Sequence, residues 1–94
     1  MNVAINFEWD DKKAKSNLKK HGISFEEAST AFGDELSITI DDPLHSDDEN
    51  RLILIGKSAI NNTLVVVHLE KSASIRIISA RRATSKEKFF YEEC

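Results

Sequence analysis

The stretch "TLVVVHLEKSASIRIISARR", Thr63 to Arg82, decides the fold. Its first half is dense in β-branched residues and its second half alternates, with a polar break around Ser72, so it reads as two successive strands. Upstream, "RLILIGKS" from Arg51 is separated from it by the turn signal "AINN", which makes a hairpin. Three consecutive strands joined by short turns are an antiparallel meander, and both flanking arms must supply what covers it.

The N-terminal arm begins with a short strand in "NVAINFEW", ending near Trp9. A helix follows, capped by Asp10 and ended by Gly22, with Ala14 and Leu18 on its buried face and Lys12, Lys13, Lys15, Lys19 and Lys20 on the outer arc. In "ISFEEASTAFG", Ser24 and Glu27 have capping-box spacing, Ile23 is placed to staple onto Ala28, and Gly33 closes a second helix. "LSITI" alternates, with Leu36, Ile38 and Ile40 on one side, as a half-buried strand does. "DDPLHSDDEN" holds the sole proline and five acids in ten residues and reads as a solvated loop. At the C-terminus, Thr84 and Glu87 repeat the capping-box spacing and open a helix that carries Phe89 and Phe90. The expected architecture is a single α+β domain over 1–94. Two N-terminal helices and one C-terminal helix pack on one face of an antiparallel sheet of four to five strands.

Composition narrows the function classes. Net charge is −3, but residues 1–22 carry five lysines against three acids, 23–50 carry nine acids and no Lys or Arg, and 51–94 carry eight basic residues against four acids. Only the outer segments can supply a phosphate-attracting face. No apolar run approaches the roughly 18 residues of a membrane span, and "MNVAINFEWD" lacks the basic start and long apolar run of a signal peptide, so a cytoplasmic chain without membrane association is expected. The single cysteine, Cys94, excludes an internal disulfide, and with three scattered histidines it gives no metal-ligand spacing; no metal or cofactor is expected. Glycine-rich phosphate loops and nucleophile elbows are absent from the sequence.

What remains is a polar set around the last strands. Strict alternation from Ile75 sends Arg81 to one face and Arg76 and Arg82 to the other. A chain reversal near Ala80 to Ala83 would gather all three arginines in one cleft bordered by His68. Guanidinium groups bind phosphate bidentately and stabilise charge that grows on it, which suits cleavage of RNA through its own 2′-OH without a metal. His45, His68, Glu49 and Tyr91 are candidates for proton transfer. The plain alternatives are surface ion pairs to Glu87 or Glu92 for the arginines, a hydrogen-bonded core position for His68, and a solvated surface for the lysine arc.

Taken together, "FEWDDKKAKSNLKKHGISFEEASTAFGD", "DPLHSDDENR" and "VVVHLEKSASIRIISARRATSKEKFFYEE" resemble the BrnT family of toxins from bacterial type II toxin–antitoxin pairs. The resemblance runs in the same order over roughly residues 7–93. It implies a RelE-like ribonuclease fold and inhibition of translation by RNA cleavage. It also implies a BrnA-like antitoxin whose DNA-binding part represses the shared operon, so that operator DNA is met only through the antitoxin. By motif position it favours Arg76, Arg81 and Arg82 for RNA binding or catalysis, with Glu49, Arg51 and Tyr91 beside them, and gives Trp9 and His21 to the fold. Lys71 stands where many relatives carry arginine, and Lys12 and Lys19 are candidate RNA contacts on the first helix. The rival expectation is a non-catalytic toxin-like module that acts only in antitoxin binding and co-repression.

Overall fold

In the computed structural model, which describes residues 5–42 and 51–93, eight elements follow one another. They are β1 (Asn6–Glu8), α1 (Asp11–His21), α2 (Phe25–Thr30), β2 (Ile38–Asp41), β3 (Arg51–Lys57), β4 (Thr63–Glu70), β5 (Ser74–Arg82) and α3 (Ser85–Glu93), with a 3-10 turn at Ala31–Gly33 after α2. The expected caps form. Asp10 accepts from the amides of Lys12 and Lys13, Gly22 takes φ 74° at the end of α1, and Ser24 Oγ accepts from the Glu27 amide at 3.0 Å. At α3 the box is reciprocal, because the Glu87 amide donates to Thr84 Oγ1 at 3.2 Å and Glu87 Oε1 accepts from the Thr84 amide at 2.8 Å. Each of these motifs satisfies backbone groups that a helix end would otherwise leave open.

The five strands form one sheet in the order β1-β5-β4-β3-β2. β2 to β5 make the expected antiparallel meander, but β1 joins β5 in parallel, so the sheet is mixed rather than antiparallel. A parallel neighbour requires a long return path, which α1, α2 and the meander together provide. The helices also divide between the faces. One core, built from Ile23, Phe25, Ala28, Leu64, Val66, Ile77 and Ala80, lies under α1 and α2. A smaller one joins Ile55 and Val65 to Tyr91 of α3 on the opposite face. The expectation of all helices on one face therefore fails, for a reason visible in β3 and β4: apolar residues at consecutive positions supply both faces, and each needs a cover.

Leu18 is 51% exposed and Leu36, which precedes β2, is 75% exposed, so neither marks a buried face. α1 is instead anchored by Asn17, whose Nδ2 donates to the carbonyls of Ala80 (2.8 Å) and Ile23 (3.0 Å) while its Oδ1 accepts from the Ala80 amide at 3.1 Å. The side-chain amide thus pairs with Ala80 as a neighbouring strand residue would, at a level of β5 that the three-residue β1 does not reach.

Candidate functional site

The decisive local feature is a bulge in β5. Val67 pairs with Ser79 but His68 pairs with Ile77, so Ile78 is an extra residue and the alternation changes phase there. Residues paired across a ladder share a face. Rows across the sheet can therefore be followed: Arg51, Leu69, Arg76 and Glu8 lie in one, Ile40, Ile53, Val67 and Ser79 in the next, and Ile38, Ile55, Val65 and Arg81 in the third. All three belong to the α3 face. The bulge thus brings Arg76 and Arg81, five residues apart, to the same side, where strict alternation would oppose them. Between them lies a floor of Ile40, Ile53, Val67 and Leu69 that α3 leaves partly open, Ile40 being 43% exposed.

Arg82 does not join them. β5 continues through Arg82 instead of turning at Ala80, and Arg82 pairs with Leu64 on the α1/α2 face. Its guanidinium reaches the end of α1, with Nη1 3.9 Å from where a Cβ on Gly22 would stand. The expected cleft of three arginines is therefore a surface with two, joined by Arg51 through the sheet register and by Lys71 through Glu8. Lys12 and Lys19 are exposed on α1, on the other side of the sheet. His45 and Glu49 lie outside the described residues.

Both arginines are engaged by carboxylates. Arg81 Nη1 and Nη2 donate to Glu87 Oε1 and Oε2 at 2.7 and 2.8 Å, a bidentate pair, and Nη1 also reaches the Arg82 carbonyl at 3.3 Å. This grip brings the Glu87 carboxyl down to about 2, and raises Arg81 in turn. Near the other end of β5, Glu8 accepts from Ser74 Oγ (3.1 Å), Arg76 Nη1 (3.1 Å) and Lys71 Nζ (3.3 Å). The Ser74 hydroxyl first, then the two cations, hold its carboxyl below the usual range. The Arg81–Glu87 pair is the plain alternative that the sequence offered for the arginines. Glu8 was missed, because nothing in "FEWD" announces a parallel strand that would set it beside Arg76.

Tyr91 is on the α3 face but is buried, its hydroxyl donating to Asp34 Oδ2 at 2.5 Å. Burial opposes ionisation of Asp34, yet the Lys57 amide, the Tyr91 hydroxyl and the Leu36 amide outweigh it and keep the carboxyl low. The same carboxylate pushes the Tyr91 phenol up to about 12. Tyr91 therefore ties α3 to the turn before β2, and its proton is held tightly rather than poised for transfer.

His68 takes the plain alternative, a core position, and not the border of a cleft. It is completely buried on the α1/α2 face, edge-on to Phe32 at 4.8 Å, with Nδ1 3.3 Å from the Val66 carbonyl and Nε2 3.6 Å from Glu70. It faces away from Arg76 and Arg81 and borders no cleft with them. Burial pushes its pKa below the ordinary 6.5, against the opposing pull of the Val66 carbonyl and Glu70. The folded chain thus keeps the ring neutral where the unfolded chain takes a proton, so stability is full above pH 6.5 and is lost as pH falls through the folded value. The melting temperature is expected to fall as pH drops below 6.5, and His68→Phe to flatten that slope in a pH series of thermal melts.

Chemically, the α3 face offers forked and point-charge cations around an apolar floor, with Phe89 (65% exposed) and Phe90 (45% exposed) carried by the helix on that side. Cations with apolar surface between them match a single-stranded nucleic acid, whose phosphates and bases need both.

A family model described as the ribonuclease toxin BrnT of type II toxin–antitoxin systems matches residues 9–87. Among solved structures, the 1.1 Å crystal structure of the Brucella abortus ribonuclease toxin BrnT superimposes with a TM-score of 0.68 at 21% identity, covering 87% of this chain and 100% of that one. At that identity the likeness is one of fold. A search of curated proteins gives no significant match.

Proposed function

Since the chain belongs to the BrnT family of ribonuclease toxins of type II toxin–antitoxin systems, we propose that it cuts RNA on the α3 face of its sheet. Its presence on that face of both Arg76 and Arg81, brought into phase by the bulge at Ile78, carries the reading. In the proposed reaction the 2′-oxygen of RNA forms a bond to the adjacent phosphorus while the bond to the 5′-oxygen breaks; the 2′-hydroxyl proton passes to water and the leaving 5′-oxygen takes one up from water. The products are a 2′,3′-cyclic phosphate and a free 5′-hydroxyl, and the nucleophile comes from the substrate itself, so no metal is called for. Arg81 grips the scissile phosphate and meets the charge that develops on its oxygens, and Arg76 with Arg51 and Lys71 holds the flanking backbone. Glu8 and Glu87 have carboxyls held below the range of a base useful near neutrality, so these residues are assigned an orienting role. Unchecked cutting would stop translation. Toxin–antitoxin membership implies an antitoxin partner, and a BrnA-like protein with its own DNA-binding part fits that place.

A second reading has its own observation. Arg81 is already held by Glu87 and Arg76 by Glu8, as in a surface whose cations serve structure and antitoxin binding alone. Antitoxin-free protein incubated with RNA in EDTA separates the two. The first reading expects fragments ending in 2′,3′-cyclic phosphate, and intact RNA would leave the second standing.

A further inference from the structure

The outer edge of β5 carries a feature that the sheet face does not use. β1 pairs with Ser74 to Arg76, and Asn17 pairs with Ala80; among the described residues no strand covers the edge between them, where the bulge lies. Beside this gap is a depression of about 190 Å³, lined on the helix side by Lys13, Ser16, Lys20 and His21 and on the sheet side by Ile78 and Ser79. Positions 13, 16 and 20, with Asn17 between them, form one stripe of α1, because residues three and four apart stack on a helix. Both hydrogens of the Asn17 amide are already committed to the Ala80 and Ile23 carbonyls, so Asn17 sets the distance between helix and strand. What is left around the depression is two ammonium groups, an imidazole and the Ser16 hydroxyl, with Ser79 bordering it at the strand edge, and no carboxylate lines it among the described residues. That donor set fits an oxyanion. Ser79 belongs both to this depression and, through its pairing with Val67, to the row between Arg76 and Arg81. The two regions therefore meet across β5.

We propose that this depression is a second phosphate subsite, which takes a backbone phosphate of the same single-stranded RNA as that strand leaves the sheet face over the β5 edge. The proposal rests on the reading of the α3 face as the RNA site and extends it: the substrate is an RNA several nucleotides long, held on both sides of β5.

The test is binding of a fluorescein-labelled 2′-O-methyl dodecamer, which cannot be cut, to antitoxin-free protein across a salt series. Lys13→Ala with Lys20→Ala is expected to weaken binding about tenfold and to reduce the salt slope by about 1.4, the release expected for two lost contacts to a single strand. Lys12→Ala with Lys19→Ala removes the same charge from the same helix and is expected to cost less than about threefold, with the slope kept within about 0.3. Equal losses in the two pairs, or a Lys13/Lys20 pair that binds as the unaltered chain does, would overturn the subsite. Arg76→Ala with Arg81→Ala reports on the sheet face separately. If that pair binds normally while Lys13/Lys20 fails, the reading of the α3 face falls and the anion pocket stands; the reverse removes the pocket alone.

Discussion

Arg81→Ala is expected to slow RNA cleavage by purified, antitoxin-free protein by about 100-fold or more, the scale of losing one preorganised donor to a charge that grows in the transition state. Glu87 does two things for Arg81. Its bidentate grip fixes the plane of the guanidinium, and its carboxyl, held to about 2, remains ionised at every working pH. Nη1 and Nη2 are directed to Glu87, which leaves the Nε side of the fork for phosphate. Arg81→Lys should recover little, because an ammonium cannot reproduce a planar fork held at one end and donating at the other. Arg82→Ala is expected to cost less than about threefold, since Arg82 lies on the other face; equal losses at Arg81 and Arg82 in a single-turnover assay would refute the placement. The same carboxylate has a stability consequence. A folded value near 2 against an ordinary 4.5 means that the Glu87 contribution is present above about pH 4.5 and disappears as pH falls toward 2.

Asn17→Ala should be the most damaging change outside the core, costing about 2–4 kcal/mol, because it strips partners from the Ala80 amide, the Ala80 carbonyl and the Ile23 carbonyl in a buried place. For a domain of this size that corresponds to a melting temperature lower by roughly 10–25 °C. Asn17→Asp gives the finer test. Its carboxylate can still accept from the Ala80 amide, but it sets a second oxygen against two carbonyls, so it should be no better than alanine in thermal or denaturant melts. A loss below about 1 kcal/mol for Asn17→Ala would mean that water replaces the amide without strain.

The parts of this molecule legible in its sequence are those set by neighbours within a few residues. Asp10, Gly22, Ser24 and the Thr84–Glu87 pair cap helices where their spacing says they should, since a cap needs only its own turn. The meander from Arg51 to Arg82 is equally plain, because its strands are dense in β-branched residues and joined by short turns. What was hidden depends on register between distant segments. Nothing local says that β1 lies parallel to β5, or that an asparagine in the middle of a lysine-rich helix substitutes for a strand. The bulge was hidden for the same reason: "IRIISARR" alternates well enough to suggest an unbroken count, and only pairing with β4 reveals that one residue is not counted. Hence all three arginines were expected in one cleft through a chain reversal near Ala80 to Ala83, whereas the bulge puts Arg76 and Arg81 on one face and leaves Arg82 on the other. For His68 both a core position and a cleft rim stood open, because a cluster of valines before it is compatible with either, and the structure takes the core.

The single uncounted residue at Ile78 makes the surface a matter of parity. A chain that lost Ile78 would keep every arginine and every carboxylate, and because Ile78 is the residue the ladder does not count, Arg76 and Arg81 would stand four apart on an unbroken strand and still share a face. The same residues paired with β4 without the bulge would set the two arginines on opposite faces, so the surface depends on where β5 skips a residue and not on which charged residues it carries.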